Sequence, residues 1–139
     1  MTSFIDTNIL LYAVSGDVAE RGKRDLAKSI LATPGCVFSL QVFNEFVVRA
    51  TDPRKISRVP PETVRQLTSV WSRHKVQALD LTVFDRAWEV ARRTNYSWWD
   101  CTIVAAALVA GCDRLLSEDM QHGHVVDSVR IENPFRDLA

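Results

Sequence analysis

The sequence predicts an α/β fold, a three-layer α/β/α sandwich with a short, mainly parallel central sheet. Short β-type runs alternate along the chain with longer runs whose apolar residues recur at helical spacing. Strands that are separated by helices tend to pair in parallel and to carry those helices on both faces of the sheet. The 139 residues are 47% hydrophobic, which is enough to enclose one core. We therefore expect residues 1–139 to form a single domain.

The first part of the chain alternates strand and helix twice. Residues 2–6 (TSFID) form a short β-type run that ends in an acid, and residues 8–16 (NILLYAVSG) are helical up to a glycine. Residues 19–35 place apolar side chains at helical spacing and end in Pro-Gly, which stops a helix. Residues 36–40 (CVFSL) are a buried strand candidate, and residues 41–51 (QVFNEFVVRAT) are an amphipathic helix.

The middle of the chain resumes this alternation after a break. Residues 52–61 (DPRKISRVPP) are proline-rich and basic, which predicts an exposed loop between two helices. We expect a long helix over residues 62–75 and a third strand over 76–80. Another helix follows over residues 82–95, with Thr82 as its predicted N-cap.

The last part of the chain contains its most apolar segment. Residues 97–112 (SWWDCTIVAAALVAGC) are apolar on nearly every face, which predicts a buried helix. Residues 113–119 contain a fourth strand, and residues 128–132 are a candidate fifth strand. Trp71 and Trp88 occupy apolar helical positions, so we expect both in the core.

Composition narrows the class of protein. Seventeen basic residues balance seventeen acidic ones, so the total charge does not point to nucleic acid, although a local basic patch is compatible with it. The chain shows no membrane-span pattern and no secretory leader, so we expect a soluble cytoplasmic protein. Cys36, Cys101 and Cys112 lie among apolar neighbours without CxxC spacing, which predicts buried free thiols rather than disulfides or a zinc site.

Four acids follow the predicted strands or open the helices beside them. Asp6 ends the first strand and Glu45 lies one turn into the helix after the second. Asp100 opens the buried helix and Asp119 follows the fourth strand. Because ligands of open α/β sheets bind at the carboxyl ends of the strands, we expect these carboxylates to converge. Four carboxylates in one pocket repel one another unless a cation neutralises them. Mg²⁺ and Mn²⁺ are cations that take such oxygen ligands. An ion held there can activate water for attack on a phosphodiester.

Neighbouring polar residues suit supporting roles. Thr7, Asn8 and Ser117 can orient the carboxylates through hydroxyl or amide hydrogen bonds, or can reach a substrate phosphate. We therefore include these three residues in the candidate site.

Each acid also has an ordinary structural interpretation. Asp6 can simply cap the following helix. Glu45 can pair with Arg49 one helical turn later. Asp100 can form a capping box with Ser97, and this interpretation is compatible with a role in a site.

Four segments taken together resemble the PIN-domain family and, within it, the VapC-like toxin ribonucleases. The segments are FIDTNILLYA, the acid in VFNEFVVRAT, WWDCTIVAAAL and LLSEDM, and their order and separation match the family over almost the whole chain. The resemblance implies a site for Mg²⁺ or Mn²⁺ that cleaves RNA. The residues that it assigns to this site are Asp6, Glu45, Asp100 and Asp119.

The resemblance also implies partners. A toxin of this kind is blocked by a cognate antitoxin and forms a homodimer. Its antitoxin occupies a groove between the early helices, so residues near Leu11, Tyr12 and Phe46 are candidate contributors to that groove. The resemblance further implies supporting polar roles for Asn8 and Ser117.

The fourth motif departs from the family pattern. Ser117 stands where the family usually has Thr, a change that keeps the hydroxyl. The residues MQHG follow Asp119, where the family often continues to an aromatic residue. Glu118 is an equally acidic neighbour of Asp119, and acids are common in turns.

Three other functions share parts of this pattern. A phosphatase of the haloacid dehalogenase type also has Asp after its first strand, but it needs a second Asp two residues later, where this chain has Asn8. A catalytically silent PIN-like module would bind RNA or protein, and the presence of all four acids argues against it. An RNA-processing nuclease unrelated to toxicity would use the same chemistry.

Several further residues are candidates for contacts with RNA. Trp98 and Trp99 are candidates for base stacking, with one of them expected in the core. His122 and His124 are more typical of an exposed loop than of a metal site. Six basic residues are candidate phosphate contacts: Arg21, Lys23, Arg24, Arg54, Lys55 and Arg58.

Overall fold

The computed structural model describes residues 1–138, which form a six-stranded sheet with six α-helices and one 3-10 turn. The strands are β1 (Ser3–Ile5), β2 (Cys36–Ser39), β3 (Lys75–Gln77), β4 (Arg114–Leu116), β5 (Val125–Val126) and β6 (Val129–Glu132). The helices are α1 (Thr7–Ala13), α2 (Arg21–Leu31), α3 (Leu40–Ala50), α4 (Pro61–Trp71), α5 (Leu81–Arg93) and α6 (Trp98–Val109). The 3-10 turn spans Val18–Glu20 and leads into α2.

The sheet is parallel except at one edge. The strand order is β3-β2-β1-β4-β6-β5, and only the β5–β6 pair is antiparallel among the described residues. Helices flank the sheet, with α1 packed against α2 and α3, and α5 packed against α6. The predicted α/β class with a mainly parallel central sheet is therefore confirmed. Because β1 and β4 are central neighbours, the residues after Ile5 and Leu116 meet at one sheet edge.

The predicted order of strands and helices is found, with local differences. The candidate fifth strand is β6, whereas β5 has only two residues and is too short to show a periodic pattern. The prediction that Thr82 is the N-cap of α5 was wrong. Asp80 caps the helix instead, because its side chain accepts a hydrogen bond from the backbone amide of Val83 at 3.0 Å. The third strand accordingly ends at Gln77.

The core lies between the sheet and the helices. The fully buried side chains of β1, β2 and β4 include Phe4, Phe38 and Leu115. Helix α6 is buried from Cys101 to Ala107, as its all-round apolar sequence predicts. The three cysteines, Cys36, Cys101 and Cys112, are buried and free.

The two tryptophans predicted for the core have different environments. Trp71 is buried and packs edge-on against Phe46, with ring centroids 5.2 Å apart. Trp88 is 55% exposed, so its prediction was wrong. Helix α5 buries Val83, Ala87 and Val90 instead, and Trp88 packs at the surface. None of the helices within residues 1–138 has the length and apolar character needed to cross a membrane.

A glycine at the start of β2 provides a test of this packing. Gly35 has a φ of +92°, and a Cβ atom there would lie 2.5 Å from the carbonyl oxygen of Met1. Gly111 also has a positive φ, of +75°, but a Cβ atom would meet nothing within 4 Å. We expect Gly111→Ala to lower the free energy of unfolding by about 1 kcal/mol through backbone strain alone. Gly35→Ala should lower the free energy of unfolding further, because the carbonyl group of Met1 must also move away from the new Cβ atom. Urea denaturation of both variants checks this difference, and equal losses would contradict the predicted clash.

Candidate active site

Asp6 lies at the junction between β1 and α1 and is buried. One oxygen of its carboxylate accepts a hydrogen bond from the backbone amide of Thr7 at 2.7 Å, so the N-cap interpretation is correct. The other oxygen accepts a hydrogen bond from the hydroxyl of Ser117 at 2.7 Å. The second contact crosses from β1 to the end of β4, which a helix cap does not require. Asp6 is therefore both a cap and a member of a tertiary cluster.

Glu45 lies on α3 and is linked to α1. The hydroxyl of Thr7 donates to Oε2 of Glu45 at 2.8 Å, and the side-chain amide of Gln41 donates to Oε1 at 3.2 Å. No ion pair between Glu45 and Arg49 occurs in the described part of the chain, so that alternative interpretation is not supported. Two neutral donors on different helices hold the carboxylate, which orients it without neutralising its charge.

Two polar residues that support this arrangement were not predicted. Gln41 is buried, and its Oε1 atom accepts a hydrogen bond from the hydroxyl of Thr102 at 2.8 Å. The same hydroxyl lies 2.6 Å from the carbonyl oxygen of Trp99, which is an alternative acceptor for its single proton. These contacts fasten the first turn of α3 to α6, beside Glu45. The sequence signal is a polar residue in an otherwise apolar segment: Thr102 lies within the buried stretch of α6.

Asn8 connects the start of α1 to the loop after β4. Its side-chain NH₂ donates to Oδ2 of Asp119 at 3.2 Å and to the hydroxyl of Ser117 at 3.4 Å. Its side-chain oxygen accepts a hydrogen bond from the backbone amide of Glu118 at 3.3 Å. The hydroxyl of Ser117 also accepts from the backbone amide of Asp119 at 3.2 Å. Asn8 and Ser117 therefore shape the loop that carries the fourth acid.

Asp100 lies in the first turn of α6 and is half-buried. Its backbone amide donates to the hydroxyl of Ser97 at 3.2 Å, which confirms Ser97 as the N-cap. This cap leaves the carboxylate of Asp100 beside the other acids. The capping interpretation and a role in the site are therefore compatible.

The electrostatics show that the acids influence one another. Burial, together with the smaller effect of the charges of Glu45 and Asp119, raises the pKa of Asp6 to about 6, against the hydrogen bonds from Ser117 and Thr7 that lower it. The pKa of Asp100 is also raised, first by burial and then by the charges of Asp119 and Glu45. Carboxylates affect one another in this way only when they share a poorly screened environment.

A PIN domain family model matches residues 3–127 of the sequence. The chain belongs to the PIN domain family. The resemblance identified from the four sequence segments is thereby confirmed. No curated protein matches the sequence significantly.

Solved structures share this PIN fold at low sequence identity. A toxin–antitoxin complex from Klebsiella pneumoniae is similar with a TM-score of 0.67 and 17% identity, covering 92% of this chain and 95% of that chain. VapC20 of Mycobacterium tuberculosis, described as a sarcin–ricin loop cleaving toxin, has a TM-score of 0.63 and 19% identity, covering 82% and 87%. VapBC2 of Rickettsia felis, bound to a promoter DNA fragment, has a TM-score of 0.64 and 15% identity, covering 96% and 98%. At these identities the likeness establishes the fold.

The acids of this PIN domain suit a hard divalent cation by their chemistry. All four predicted ligands are carboxylates, which are the ligands that Mg²⁺ and Mn²⁺ prefer. Within residues 1–138 no three acidic, histidine or cysteine side chains are grouped as they would be around an ion. Thr7, Gln41 and Asn8 hold the carboxylates in separate hydrogen bonds. Asp119 is exposed and Glu45 and Asp100 are half-buried, which leaves these three side chains room to turn.

The other predicted contacts differ in their surroundings. Phe46 itself is fully buried in the core, so an antitoxin contact near it falls to its exposed neighbours on α3, Val47 and Val48. Leu11 and Tyr12 instead line a cleft of about 330 Å³ next to Asn8 and Asp119. This cleft is therefore the accessible space beside the candidate site.

The aromatic and histidine candidates are separated in the structure. Trp99 is 63% exposed next to Asp100, whereas Trp98 packs against Trp88 with ring centroids 4.6 Å apart. His122 accepts a hydrogen bond from the backbone amide of Asn133, and His124 contacts the hydroxyl of Tyr96 at 2.7 Å. Of these four, only Trp99 presents a large open surface near the acids.

The basic candidates divide into paired and open residues. Lys23 is paired with Glu118, Arg24 lies near Asp25 and Arg54 binds Asp52. Lys55 lines the cleft beside Asp119 together with Arg49, which was not among the predicted contacts. Among the described residues, neither Lys55 nor Arg49 forms an ion pair. These two cations are the ones available to an anion in the cleft.

The raised pKa of Asp6 predicts a pH-dependent effect on stability. Because the pKa is about 6 in the folded protein and near 3.8 ordinarily, the folded state holds this proton more tightly. The contribution of Asp6 to the free energy of unfolding is then greatest below about pH 4. It declines as the pH rises to about 6 and stays low above that value. Asp6→Asn cannot ionise and can still accept from the amide of Thr7. We expect the metal-free variant to gain stability relative to the wild type between about pH 4 and about pH 7.5, by up to roughly 3 kcal/mol.

Urea denaturation in EDTA, carried out at about pH 4 and again at about pH 7.5, measures this gain in stability. Acids that titrate elsewhere, such as Asp127, are common to both proteins and cancel in the difference. A stability difference that is the same at both pH values would contradict the raised pKa of Asp6.

Proposed function

We propose that this PIN-domain protein is a metal-dependent endoribonuclease that hydrolyses RNA phosphodiester bonds. We further propose that it is the toxin of a toxin–antitoxin pair in the cytoplasm, with residues 1–139 acting as one nuclease domain. The observation that carries the proposal is that hydrogen bonds from Ser117, Thr7 and Asn8 hold Asp6, Glu45 and Asp119 at the carboxyl edge of the sheet. A shared negative pocket at the carboxyl edge of a PIN sheet suits cation-assisted phosphodiester chemistry.

The structural neighbours support the choice of substrate and partner. VapC20 is described as a toxin that cleaves the sarcin–ricin loop, and two other similar structures are toxin–antitoxin complexes. Their folds match nearly the whole length of this chain. RNA and an antitoxin are therefore the partners that we propose for this protein.

In the proposed site, Asp6, Glu45, Asp100 and Asp119 would hold Mg²⁺ or Mn²⁺. The ion, when bound, would supply an activated water and stabilise the charge that develops on the phosphate. Ser117 holds one oxygen of Asp6 in place. The hydroxyl of Thr7 keeps Glu45 turned toward α1. These neutral contacts orient the acids and leave their full charge for a cation.

The cleft beside Asp119 contains two basic side chains among the acids Asp17, Glu20, Glu118 and Asp119. Arg49 and Lys55 line the cleft with Asn8 and Asp119. Cationic side chains hold phosphates without reading sequence, so they would fix the strand beside the acids. We propose Arg49 and Lys55 as phosphate contacts. The same cleft has apolar walls at Leu11 and Tyr12, which suit a side chain of an antitoxin segment.

An endonuclease assay tests this function. We expect the purified chain, free of antitoxin, to cut total cellular RNA into discrete products with Mg²⁺ or Mn²⁺ and to leave it intact in EDTA. Asp6→Asn and Asp100→Ala should each lower the rate by more than about 100-fold, the upper end of the loss caused by an outer ligand contact. Asp85→Asn is the matched control, because Asp85 is an exposed acid on α5. Its rate should equal that of the wild type.

The outcomes separate the candidate functions. Intact RNA in every lane, from protein shown to be folded, would contradict the nuclease and favour a silent binding module. Cleavage that persists in EDTA would contradict the metal dependence. If the nuclease is active but expression of the chain without a partner leaves cell growth unchanged, an RNA-processing role would replace the toxin role.

We propose that the chain forms a homodimer through α3. Val48 on α3 is 71% exposed and lines a groove of about 430 Å³ with Leu79, Trp99 and polar residues that include Glu45. A contiguous exposed apolar patch is typical of an association site. We expect Val48→Arg to shift a dimer to a monomer in size-exclusion chromatography with light scattering. Val18→Arg is the control, because Val18 is 76% exposed on the 3-10 turn and does not line this groove. A dimer that withstands Val48→Arg would place the interface elsewhere.

A further inference from the structure

Two adjacent acids, Glu118 and Asp119, follow β4, and their side chains have different partners. The carboxylate of Glu118 binds Nζ of Lys23 at 2.6 Å and the hydroxyl of Tyr12. The carboxylate of Asp119 accepts a hydrogen bond from Asn8 at 3.2 Å and lies close enough to Asp6 and Asp100 to raise their pKa values. Only Asp119 therefore contributes to the acidic pocket.

The partners of Glu118 hold one another as well. Nζ of Lys23 lies 3.2 Å from the hydroxyl of Tyr12 and 4.8 Å from the centroid of its ring. The ring of Tyr12 packs edge-on against Phe135, with centroids 4.9 Å apart. Lys23 belongs to α2 and Tyr12 to α1. Glu118 is thus attached to α2 through the ammonium group of Lys23 and to α1 through the hydroxyl of Tyr12.

The attachment of Glu118 is linked to the position of Asp119 through the backbone. Asn8 accepts from the amide of Glu118 at 3.3 Å and donates to the carboxylate of Asp119 at 3.2 Å. One side-chain amide therefore holds both residues of the loop. If the side chain of Glu118 were released, this loop would lose its contacts to α2 and could rotate about the bonds to Asn8.

We propose that Lys23 and Tyr12 are positioning residues that determine which of two adjacent acids enters the site, by holding Glu118 against α1 and α2 so that Asp119 faces the other carboxylates. This inference rests on the proposed function, in which Asp119 is a metal ligand. Lys23 and Tyr12 do not contact the ion in this scheme. They act through the loop between β4 and β5.

Charge alone predicts the opposite effect to positioning. Loss of the ammonium group of Lys23 makes the neighbourhood of the site more negative, which by itself favours a bound cation. Loss of the positioning contact moves Asp119 and weakens the cation site. The direction of the change in Mn²⁺ affinity therefore distinguishes the two effects.

The first experiment compares Lys23→Met with Lys28→Met, a matched change at an exposed lysine on the same helix. In the metal-free protein, we expect Lys23→Met to speed hydrogen exchange at the backbone amides of Glu118 and Asp119. Calorimetry should show Mn²⁺ binding weakened by about 10-fold, as for the loss of a contact that orients a ligand. Lys28→Met should match the wild type in both measurements.

Further variants test whether Lys23 acts through its contact with Glu118. Lys23→Arg keeps a cation that can bind Glu118 and should restore most of the Mn²⁺ affinity. Glu118→Gln combined with Lys23→Met should weaken binding no more than the weaker-binding single variant, because both changes disrupt one contact. In RNA cleavage, Lys23→Met should lower kcat with little change in KM.

The inference is overturned if exchange at the two amides is unchanged in Lys23→Met, or if Mn²⁺ binding is unchanged or tighter. Failure of the proposed function gives a different result. Exchange and Mn²⁺ affinity would then respond to Lys23→Met as expected, but neither the wild type nor any variant would cleave RNA.

Discussion

The hydrogen bond from Ser117 to Asp6 joins the ends of the two central strands, and the rest of the site depends on it. β1 and β4 are parallel neighbours, so the residues that follow them emerge side by side at one edge. Ser117 also accepts from the amide of Asp119, and the same short segment meets Asn8 on α1. A single buried hydroxyl thus couples the first helix to the loop after β4. Buried polar groups are stable only when they are paired in this way.

The site gathers negative charge at a cost to the folded state. Asp6 is buried and its pKa is raised, because desolvation and neighbouring carboxylates both disfavour its charged form. The apolar core beneath the sheet, with Phe4, Phe38 and Leu115 fully buried, stabilises the fold against this repulsion. A bound cation would relieve the same repulsion. In the proposed metal site, affinity for a cation and instability without it would therefore have one physical origin.

The acids near the site differ in whether their hydrogen-bond donors are neutral or charged. Asp6, Glu45 and Asp119 are oriented by hydroxyl and amide donors, which leave their charges uncompensated. Glu118, in contrast, meets the ammonium group of Lys23. The first three acids therefore keep a charge that a cation could bind, whereas the charge of Glu118 is already paired within the protein. Arg49 and Lys55 line the cleft beside Asp119, and neither forms an ion pair among the described residues, so both are available to an anionic strand.

The amino-acid sequence by itself determined the alternation of strands and helices, the buried α6 and the positions of the acids along the chain. These properties depend on local periodicity and on where a polar residue interrupts an apolar run, as Asp6 does after β1. Tertiary structure alone decided the surroundings of individual side chains. Helix amphipathicity places Trp88 on an apolar pattern, yet the packing of α5 buries its neighbours and exposes it. Gln41 and Glu118 found partners on segments distant in the sequence, because hydrogen bonds between elements form only after the sheet has brought those elements together.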